Sequence, residues 1–386
     1  MKICILTPRF PYPENGGDVL RINHIAQYLK QQGNQLILIS FCEQEPDIKT
    51  AQKLYDRVYC YRRRKYESIL NSISFMLRDK PIQCGYYYST HFQKIINKII
   101  KKEQPQRFIV HLLRMVPYIP EQLIEKTTVE MTDALSKTYT LSQKSKGHSI
   151  KKYIYRIEKR LIKKYEKKVA EAFPKTVLVS QADIDYLNSF VDSTKSNLCL
   201  HTNGVDNQLI TMNASVNNNK ICFIGNMRTL QNQDAVLHFY NDIFPEIHRR
   251  NNNALFYIIG AEPPAKIRDI AKHDNHVVVT GFVESLLETA ADSCLAVAPI
   301  RIAAGIQNKI LMAMAMGIPV VMSSLVAKAI PGLMQNENCI IEDDNYNFAA
   351  HCITLMGSSE KRNMIARKAA LMVKKHYSWD IKLQGY

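Results

Sequence analysis

The feature that most constrains the fold is an alternation of short apolar strands with helices, which the chain shows twice. "KICILT" (2–7) predicts a strand, the loop "RFPYPENGG" follows it, and a helix over 19–32 leads to the strand "QLILIS" (35–40). The strands "RFIVHLL" (107–113) and "KTVLVS" (175–180) belong to the same series. Strands that are apolar throughout and separated by helices are typical of parallel sheets covered on both faces.

A second series opens at "KICFIGNM", much as the chain itself opens. Its strands "ALFYIIG", "HVVVTG", "CLAVAP" and "PVVMS" alternate with predicted helices over 232–250, 264–272, 284–291 and 307–316. The polar segment 213–220 predicts a linker between the two series. We therefore expect an α/β chain of two doubly wound Rossmann-like domains, residues 1–205 and 206–358, that face each other across a cleft and bind ligands at the strands' carboxyl ends.

The cysteines and the hydropathy pattern exclude several classes of protein. The 386-residue chain has nine cysteines and no CxxC pair, which disfavours a disulfide framework or a zinc site and indicates a reducing compartment. No apolar run approaches the roughly 18 residues of a membrane-spanning helix, and the amino terminus does not resemble an export signal. We expect a cytoplasmic protein.

The net charge of +16 is concentrated in the first half of the chain. Residues 1–205 contain 34 basic and 19 acidic side chains, whereas residues 206–386 contain 17 and 16. Residues 144–168 are the densest part, with eleven basic and two acidic side chains and an apolar residue every three or four positions. This amphipathic helix is either docked by its apolar stripe with a solvated basic face, or attracted to anionic lipid headgroups. Nucleic acid is a third possibility, which the absence of any recognisable nucleic-acid-binding motif disfavours.

Two glycine-containing loops lead into helices, which is the layout of an anion site at a helix amino terminus. Gly16 and Gly17 precede the first helix, and the run from Gly305 to Lys309 opens the helix that stops at Gly317.

In this order and spacing, several segments resemble the retaining glycosyltransferases of family 4 with the GT-B fold, especially those of bacterial exopolysaccharide, capsule and lipopolysaccharide assembly. The segments are "PRFPYPENGGDVLRINHIAQYL", "VHLLRMVPYIP", "TDALSKTY", "NGVD", "FIGNM", "GIQNKILMAMAMGIPVV" and "YSWD". The resemblance implies a nucleotide-sugar donor on the second domain and a lipid-linked or glycan acceptor on the first. It also implies that 359–386 crosses back to the first domain, and that no metal or other cofactor is needed. With the basic first half, it implies peripheral attachment to the inner face of the plasma membrane.

The resemblance also assigns roles to residues around the donor. Those implied in holding the nucleotide diphosphate are Gly16, Gly17, Gly225, Arg228, Gly305, Ile306, Gln307, Asn308 and Lys309. Asn232 lies close to the place where the family usually has a second phosphate-binding cation, a lysine. Lys309 and the helix dipole would stabilise the departing diphosphate, so that no enzymic nucleophile is required.

In the first domain the resemblance points to three further residues. His111 would contact the transferred sugar, although a lone histidine beside an apolar strand is also compatible with a core position. Arg114 follows the same predicted strand, and its position there would point it into the cleft. Asp133 would orient an acceptor hydroxyl or cap the following helix. With Lys309, these residues form the predicted catalytic set.

One departure from the family concerns two glutamates separated by seven residues, which would fall near Ala304 and at Met312. The second normally binds the nucleotide ribose, and its loss would weaken donor binding by roughly 1.5–3 kcal/mol unless another group replaces it. Glu284 and Glu288 are candidate replacements. The alternatives are a weak donor site, or a catalytically silent protein that binds a partner enzyme or a glycan. A nucleotide-sugar epimerase is disfavoured because too few catalytic carboxylates are apparent.

Overall fold

The structure is a computed structural model of the chain. It describes residues 1–14, 17–43, 45–63, 65–142, 150–206, 209, 215–302 and 307–386. The chain divides into two compact units, Met1–Thr202 with Gly385–Tyr386, and Asn203–Gln384. We call them unit 1 and unit 2.

Unit 1 is an α/β unit built around one sheet. Its strands are β1 (Lys2–Thr7), β2 (Gln35–Cys42), β3 (Arg57–Arg62), β4 (Arg107–His111), β5 (Thr127–Thr132), β6 (Lys175–Leu178) and β7 (Leu198–Leu200). Its helices are α1 (Gly17–Gln31), α2 (Ile48–Ala51), α3 (Lys65–Leu77), α4 (Ile82–Tyr86), α5 (Thr90–Glu103), α6 (Leu135–Ser142), α7 (Ile150–Ala172) and α8 (Gln181–Asn188). Two 3₁₀-helices cover Leu113–Tyr118 and Glu121–Lys126.

The sheet of unit 1 has the strand order β3-β2-β1-β4-β5-β6-β7, and its neighbours are parallel throughout. The order reverses between β1 and β4, where Leu6 pairs with Val110. In doubly wound sheets a crevice for ligands opens at this switch point, outside the carboxyl ends of the two strands. The predicted parallel sheet is confirmed.

The basic helix α7 is docked by one face, as the first interpretation of its sequence predicted. Leu161 and Ile162 are buried in the core of unit 1, but Ile154, one of the regularly spaced apolar residues of segment 144–168, is exposed. The buried face instead includes two glutamates that cap other helices. Glu158 accepts from the backbone N–H of Ile82 in α4 at 2.7 Å, and Glu166 caps α6. A buried carboxylate is tolerated here because unpaired N–H groups at a helix start satisfy it.

Unit 2 is a second α/β unit. Its strands are β8 (Asn217–Ile224), β9 (Leu255–Ile259), β10 (Val277–Gly281), β11 (Ser293–Ala298), β12 (Val320–Met322) and β13 (Ile340–Ile341). Its helices are α9 (Leu230–His238), α10 (Phe244–Arg250), α11 (Ala265–His273), α12 (Leu286–Ala290), α13 (Asn308–Ala315), α14 (Ser324–Ala327), α15 (Asn345–Gly357), α16 (Ser359–Tyr377) and α17 (Trp379–Lys382). One π-helical turn, Phe239–Ile243, joins α9 to α10.

The sheet of unit 2 has the order β10-β9-β8-β11-β12-β13 and is parallel, so that its switch point lies between β8 and β11. Strand β8 begins at Asn217, so the prediction of a linker over 213–220 is wrong for its second half. Residues 217–220 are polar but form the first part of the strand. Helix α16 packs on α13 and buries Ile365, Ala369 and Val373 in unit 2. Of the residues after it, Gly385 and Tyr386 belong to unit 1.

Candidate functional site

In unit 2, the predicted donor residues cluster at the carboxyl end of β8. Gly225 follows this strand, and Asn232 of α9 packs so closely on it that a Cβ at Gly225 would lie 2.7 Å from the Asn232 Nδ2. The same amide donates to the carbonyl of Asn226 at 2.7 Å. The strand end is therefore fixed by an asparagine close to the place where the family that the sequence resembles usually has lysine.

The cation at this place comes from another helix. Lys309 lies in the first turn of α13, its Nζ donates to the Asn232 Oδ1, and it stands 4.9 Å from the centre of the Phe223 ring. Among the described residues the ammonium pairs with no carboxylate. Burial lowers the pKa of Lys309 to about 8. A partly buried cation that is held by a neutral amide at a helix start has the electrostatics of an anion site.

Two arginines near these strand ends are paired with carboxylates. Arg228 donates to both oxygens of Glu262 at 2.7 Å each, and both side chains are exposed. Arg301, which follows β11, makes a similar bidentate pair with Asp234 of α9. Arg228 would have to leave Glu262 or share its charge in order to bind a phosphate, whereas Lys309 needs no such exchange.

The glycine that follows β9 is required by the fold itself. Gly260 has φ +153°, and a Cβ there would lie 1.8 Å from the carbonyl oxygen of Gly225. Gly260→Ala is therefore expected to lower the free energy of unfolding by about 1–3 kcal/mol, because the backbone beside the donor residues must shift. Urea denaturation measures this loss. Gly357→Ala, where a Cβ would meet no atom within 4 Å, is the matched control, and equal effects of the two changes would contradict the prediction.

The position of the missing glutamate is occupied by an apolar side chain. Met312 is partly buried and packs against the core of unit 2. Glu284 and Glu288 are exposed, and the backbone N–H of Glu288 is capped by Ser285 in the first turn of α12. Gly305 and Ile306, and Ala304 beside them, lie outside the described residues. Gln307 precedes α13, and Asn308 is its first residue.

In unit 1, His111 ends β4 at the switch point. Its side chain is 1% exposed, and its Nδ1 lies 3.0 Å from the Oγ1 of Thr7, the last residue of β1. Because the Thr7 hydroxyl donates to the carbonyl of Arg9, its oxygen is best placed to accept from the histidine Nδ1–H. Nε2 is then the acceptor, and it is buried with no hydrogen-bond partner among the described residues.

The charges around His111 favour its neutral form. Burial, followed by the positive charges of Arg21, Arg114 and Arg9, lowers the pKa of His111 to about 3. A neutral histidine with a free acceptor nitrogen at a strand end can accept a hydrogen bond from a hydroxyl group. It cannot serve as a cation near neutral pH.

Arg114 and Asp133 lie after neighbouring strands. The Arg114 guanidinium stands 5.1 Å from the centre of the Tyr87 ring and donates to its hydroxyl at 3.3 Å, while its Nε is buried without a described partner. Asp133 is exposed just after β5. The start of α6 is capped by Glu166, which takes the capping role that the sequence allowed for Asp133.

The loop before α1 is only partly described. Gly17 is the first residue of α1, and a Cβ there would meet no atom within 4 Å. The protein's own packing therefore does not demand glycine at this position, which leaves room for a ligand to approach the helix start. Gly16 lies outside the described residues.

Sequence reasoning missed two features of this site. Leu112 and Thr132, which adjoin the ends of β4 and β5, adopt φ values of 67° and 70°. Such values are costly for residues with a Cβ and cluster at functional sites. It also missed the buried pair of Arg21 and Glu130, which no local pattern could indicate because 109 residues separate them.

The described residues offer no obvious place for a metal ion. No group of three or more His, Cys, Asp or Glu side chains in this part of the chain is arranged to hold one. The groups that are present are a buried histidine acceptor in unit 1, and a lysine at a helix start in unit 2. These groups can bind hydroxyls and an anion.

Comparison with known proteins finds similarity to glycosyltransferases. Residues 218–358 match the family model described as Glycosyl transferases group 1. The chain is 22% identical to a Klebsiella pneumoniae protein named "Uncharacterized 44.6 kDa protein in cps region", over 97% of this chain and 96% of that one. Anabaena Alr3699/HepE in complex with UDP-glucose is structurally similar, with a TM-score of 0.62, 14% identity, and coverage of 100% of this chain and 98% of that one. Sucrose-phosphate synthase from Thermosynechococcus elongatus has a TM-score of 0.65 and 13% identity, covering 100% and 97%.

These similarities agree with the two parallel sheets and their switch points. The chain has the GT-B fold, and residues 218–358 of its second unit are similar to the group 1 glycosyltransferases.

Proposed function

We propose that the protein is a retaining glycosyltransferase that moves a sugar from a nucleotide-sugar donor to a lipid-linked or glycan acceptor in bacterial surface polysaccharide biosynthesis. The single observation that carries the proposal is Lys309, a partly buried cation without a carboxylate partner among the described residues, at a helix start in the group 1 domain. The relative from a cps region supports the pathway, and HepE, which binds UDP-glucose, supports a nucleotide-sugar donor.

On the donor side, unit 2 would bind the nucleoside diphosphate at the start of α13. The Lys309 ammonium and the amino-terminal N–H groups of the helix would both oppose the phosphate charge. That charge grows when the bond between the anomeric carbon and the diphosphate oxygen breaks. Stabilisation that increases as the bond breaks lowers the barrier, whereas equal binding of substrate and transition state would not.

On the acceptor side, unit 1 would supply polar groups at the ends of β4 and β5. The Nε2 of His111, which has no hydrogen-bond partner within the described part of the chain, would accept a hydrogen bond from a hydroxyl of the transferred sugar. Asp133 would orient the acceptor hydroxyl. The acceptor oxygen then bonds to the anomeric carbon on the face that the diphosphate leaves, and its proton passes to the departing phosphate oxygen.

The proposal is tested by measuring nucleoside diphosphate release from UDP-, GDP-, ADP- and dTDP-sugars, with and without lipid-linked glycans from bacterial membranes. We expect acceptor-dependent release with one class of donor and an α- or β-linkage that matches the donor's anomeric configuration. An inverted linkage would refute the retaining mechanism but not the transfer. Silence with every donor and acceptor would refute the proposed activity.

Met312→Glu in the same assay tests how the ribose is held. Restoring the family's carboxylate is expected to lower the KM of an active wild type for its donor by about tenfold or more, since a hydrogen bond to a charged group contributes about 1.5 kcal/mol or more. Activity that appears only in the variant would instead indicate that the wild-type protein does not transfer sugar.

A further inference from the structure

We propose that unit 1 docks on an anionic lipid bilayer through the outward face of α3, with the basic face of α7 binding the headgroups. This inference goes beyond the proposed function and does not require that the protein transfers sugar. It rests on an inverted polarity in α3, on the charges beside this helix, and on the packing that fixes its orientation.

The outward face of α3 is apolar. Its large exposed side chains, with their exposed fractions, are Tyr66 (60%), Ile69 (60%), Leu70 (66%), Ile73 (49%), Met76 (36%) and Leu77 (79%). Their spacing of three and four residues places them along one stripe of the helix. Exposed apolar residues that are scattered singly need no explanation, but a contiguous stripe of this kind marks an interaction surface.

The inward face of α3 is more polar than the outward face. Ser68 is buried, and its carbonyl accepts from the Ser72 hydroxyl at 2.8 Å. The Asn71 amide donates to the carbonyl of Tyr88 at 2.8 Å. Phe75 is the large apolar side chain that this helix buries. The hydrophobic effect would normally place these two faces the other way round.

The orientation of α3 is fixed and does not reflect a loosely attached helix. It packs directly on α4, and a Cβ at Gly85 would lie 2.5 Å from the carbonyl oxygen of Asn71. The two backbones are in contact at this glycine, so α3 cannot rotate its apolar stripe inward without breaking the contact. The stripe is held outward by the packing of the unit.

The surface next to the stripe is strongly basic. Arg78 and Lys80 follow α3 and are exposed, and Asp79 between them pairs with Arg160 and Lys164 of α7. Six cationic side chains of α7 and one aromatic ring line a single shallow depression: Arg156, Lys159, Arg160, Lys163, Lys164, Lys167 and Phe190. The glutamates Glu158 and Glu166 of the same helix are buried on its other face. The charge of this surface complements anionic headgroups, toward which each nearby cation is attracted.

An apolar stripe flanked by cations is the pattern of a helix that lies in the plane of a membrane interface. One of the two interpretations of the sequence gave that role to α7, but α7 buries Leu161 and Ile162 and cannot offer them to lipid. The two tasks are therefore divided: α3 inserts apolar side chains, and α7 supplies charge. Within the described residues, no helix is long and apolar enough to cross the membrane, so α3 is assigned to its surface.

Vesicle flotation of the full chain tests the proposal, with phosphatidylcholine vesicles that contain or lack phosphatidylglycerol. We expect the wild type to float with the anionic vesicles and at least about tenfold less with the neutral ones. The triple change Ile69→Ser, Leu70→Ser and Leu77→Ser should reduce binding to anionic vesicles at least about tenfold. The pair Lys163→Gln and Lys167→Gln should reduce it while leaving the apolar stripe intact. Leu371→Ser, at a 58% exposed position of α16 in unit 2, is the matched control and should bind as wild type.

Three results would overturn the proposal: a wild type that does not bind anionic vesicles, a triple variant that binds them as well as the wild type, or a control that loses binding equally. Circular dichroism of every variant checks that the fold is retained. If the triple change disturbs α3, the double variant of Lys163 and Lys167 still tests the proposal, because its substitutions lie on α7. Sedimentation velocity tests whether a second copy of the chain covers the stripe instead of a bilayer. A wild-type dimer that the triple change dissociates, without any vesicle binding, would assign the stripe to a second copy of the chain.

Discussion

Replacing Lys309 with glutamine is expected to lower kcat/KM for the nucleotide-sugar by about 10²–10³-fold, the usual effect of removing one group that stabilises developing negative charge. Lys309 is the cation at the start of α13, and the described residues give it no carboxylate that would have to release it. Glutamine keeps most of the side-chain length and can still contact Asn232, so a folding defect is not expected. Steady-state kinetics with the donor identified by the release assay measure the loss.

The matched controls are Lys309→Arg and Lys272→Gln. Arginine retains the positive charge and should keep more activity than glutamine, although its planar group cannot copy the ammonium geometry. Lys272 is an exposed lysine of unit 2 that pairs with Asp269, and its loss should leave the kinetics unchanged. A Lys309→Gln enzyme with wild-type kcat/KM would remove Lys309 from the catalytic set.

The same lysine gives the expected pH dependence. Burial lowers the pKa of Lys309 to about 8. The protonated form binds the diphosphate, so kcat/KM should be maintained below this pKa and should fall as the pH rises through it. A bound diphosphate favours the ammonium and raises its pKa, so donor binding near pH 8 should take up a proton. Calorimetry in buffers of different ionisation enthalpy detects that proton, and Lys309→Arg should abolish the uptake.

Replacing Glu130 with leucine is expected to destabilise unit 1 by about 3–5 kcal/mol, because it removes the carboxylate that forms a bidentate ion pair with a buried guanidinium. Arg21 and Glu130 are 1% and 0% exposed, and they form a bidentate pair with distances of 2.9 and 3.1 Å. The Tyr386 hydroxyl donates to the same carboxylate at 3.0 Å. Urea unfolding, monitored by the hydrogen exchange of backbone amides in β4 and β5, measures the stability of this unit.

A double variant shows whether the loss comes from breaking the buried ion pair. Arg21→Met combined with Glu130→Leu removes both charges, so it should recover most of the stability that Glu130→Leu loses. Tyr386→Phe removes one hydrogen bond and should cost only about 0.5–1.5 kcal/mol. The double variant could instead lose as much unfolding free energy as Glu130→Leu and Arg21→Met lose together. The breaking of the buried ion pair would then not be the cause of the destabilisation.

Much of the architecture could be predicted from the sequence. The two series of apolar strands and helices correspond to β1, α1 and β2 in unit 1, and to β8 through β12 in unit 2. The prediction succeeded because a parallel strand is buried on both faces and therefore carries a local apolar run. Predictions at the glycine loops are only partly tested, since Gly16, Gly305 and Ile306 lie outside the described residues.

The candidate site was less predictable because its partners are distant in sequence. The sequence placed His111 after a strand, but its contact with Thr7 depends on β1 and β4 being neighbours in the sheet. Likewise, the sequence has Asn232 close to the place where the family that it resembles has a phosphate-binding lysine, which indicated that a cation was missing there. The structure puts the Lys309 ammonium against its amide, so a cation is present there from a different helix. Spacing along one segment cannot reveal a group that another segment supplies.

The sequence by itself determined that this chain forms two parallel α/β sheets, that its charge lies in the first half, and that a lysine follows a glycine loop at a helix start. These properties follow from local periodicity and composition, which do not depend on distant contacts. The tertiary structure alone decided the pairing of Arg21 with Glu130, the meeting of Lys309 with Asn232, and the outward direction of the apolar stripe of α3. The physical reason is that an amphipathic pattern specifies that a helix has an apolar face, whereas packing against neighbouring elements fixes where that face points.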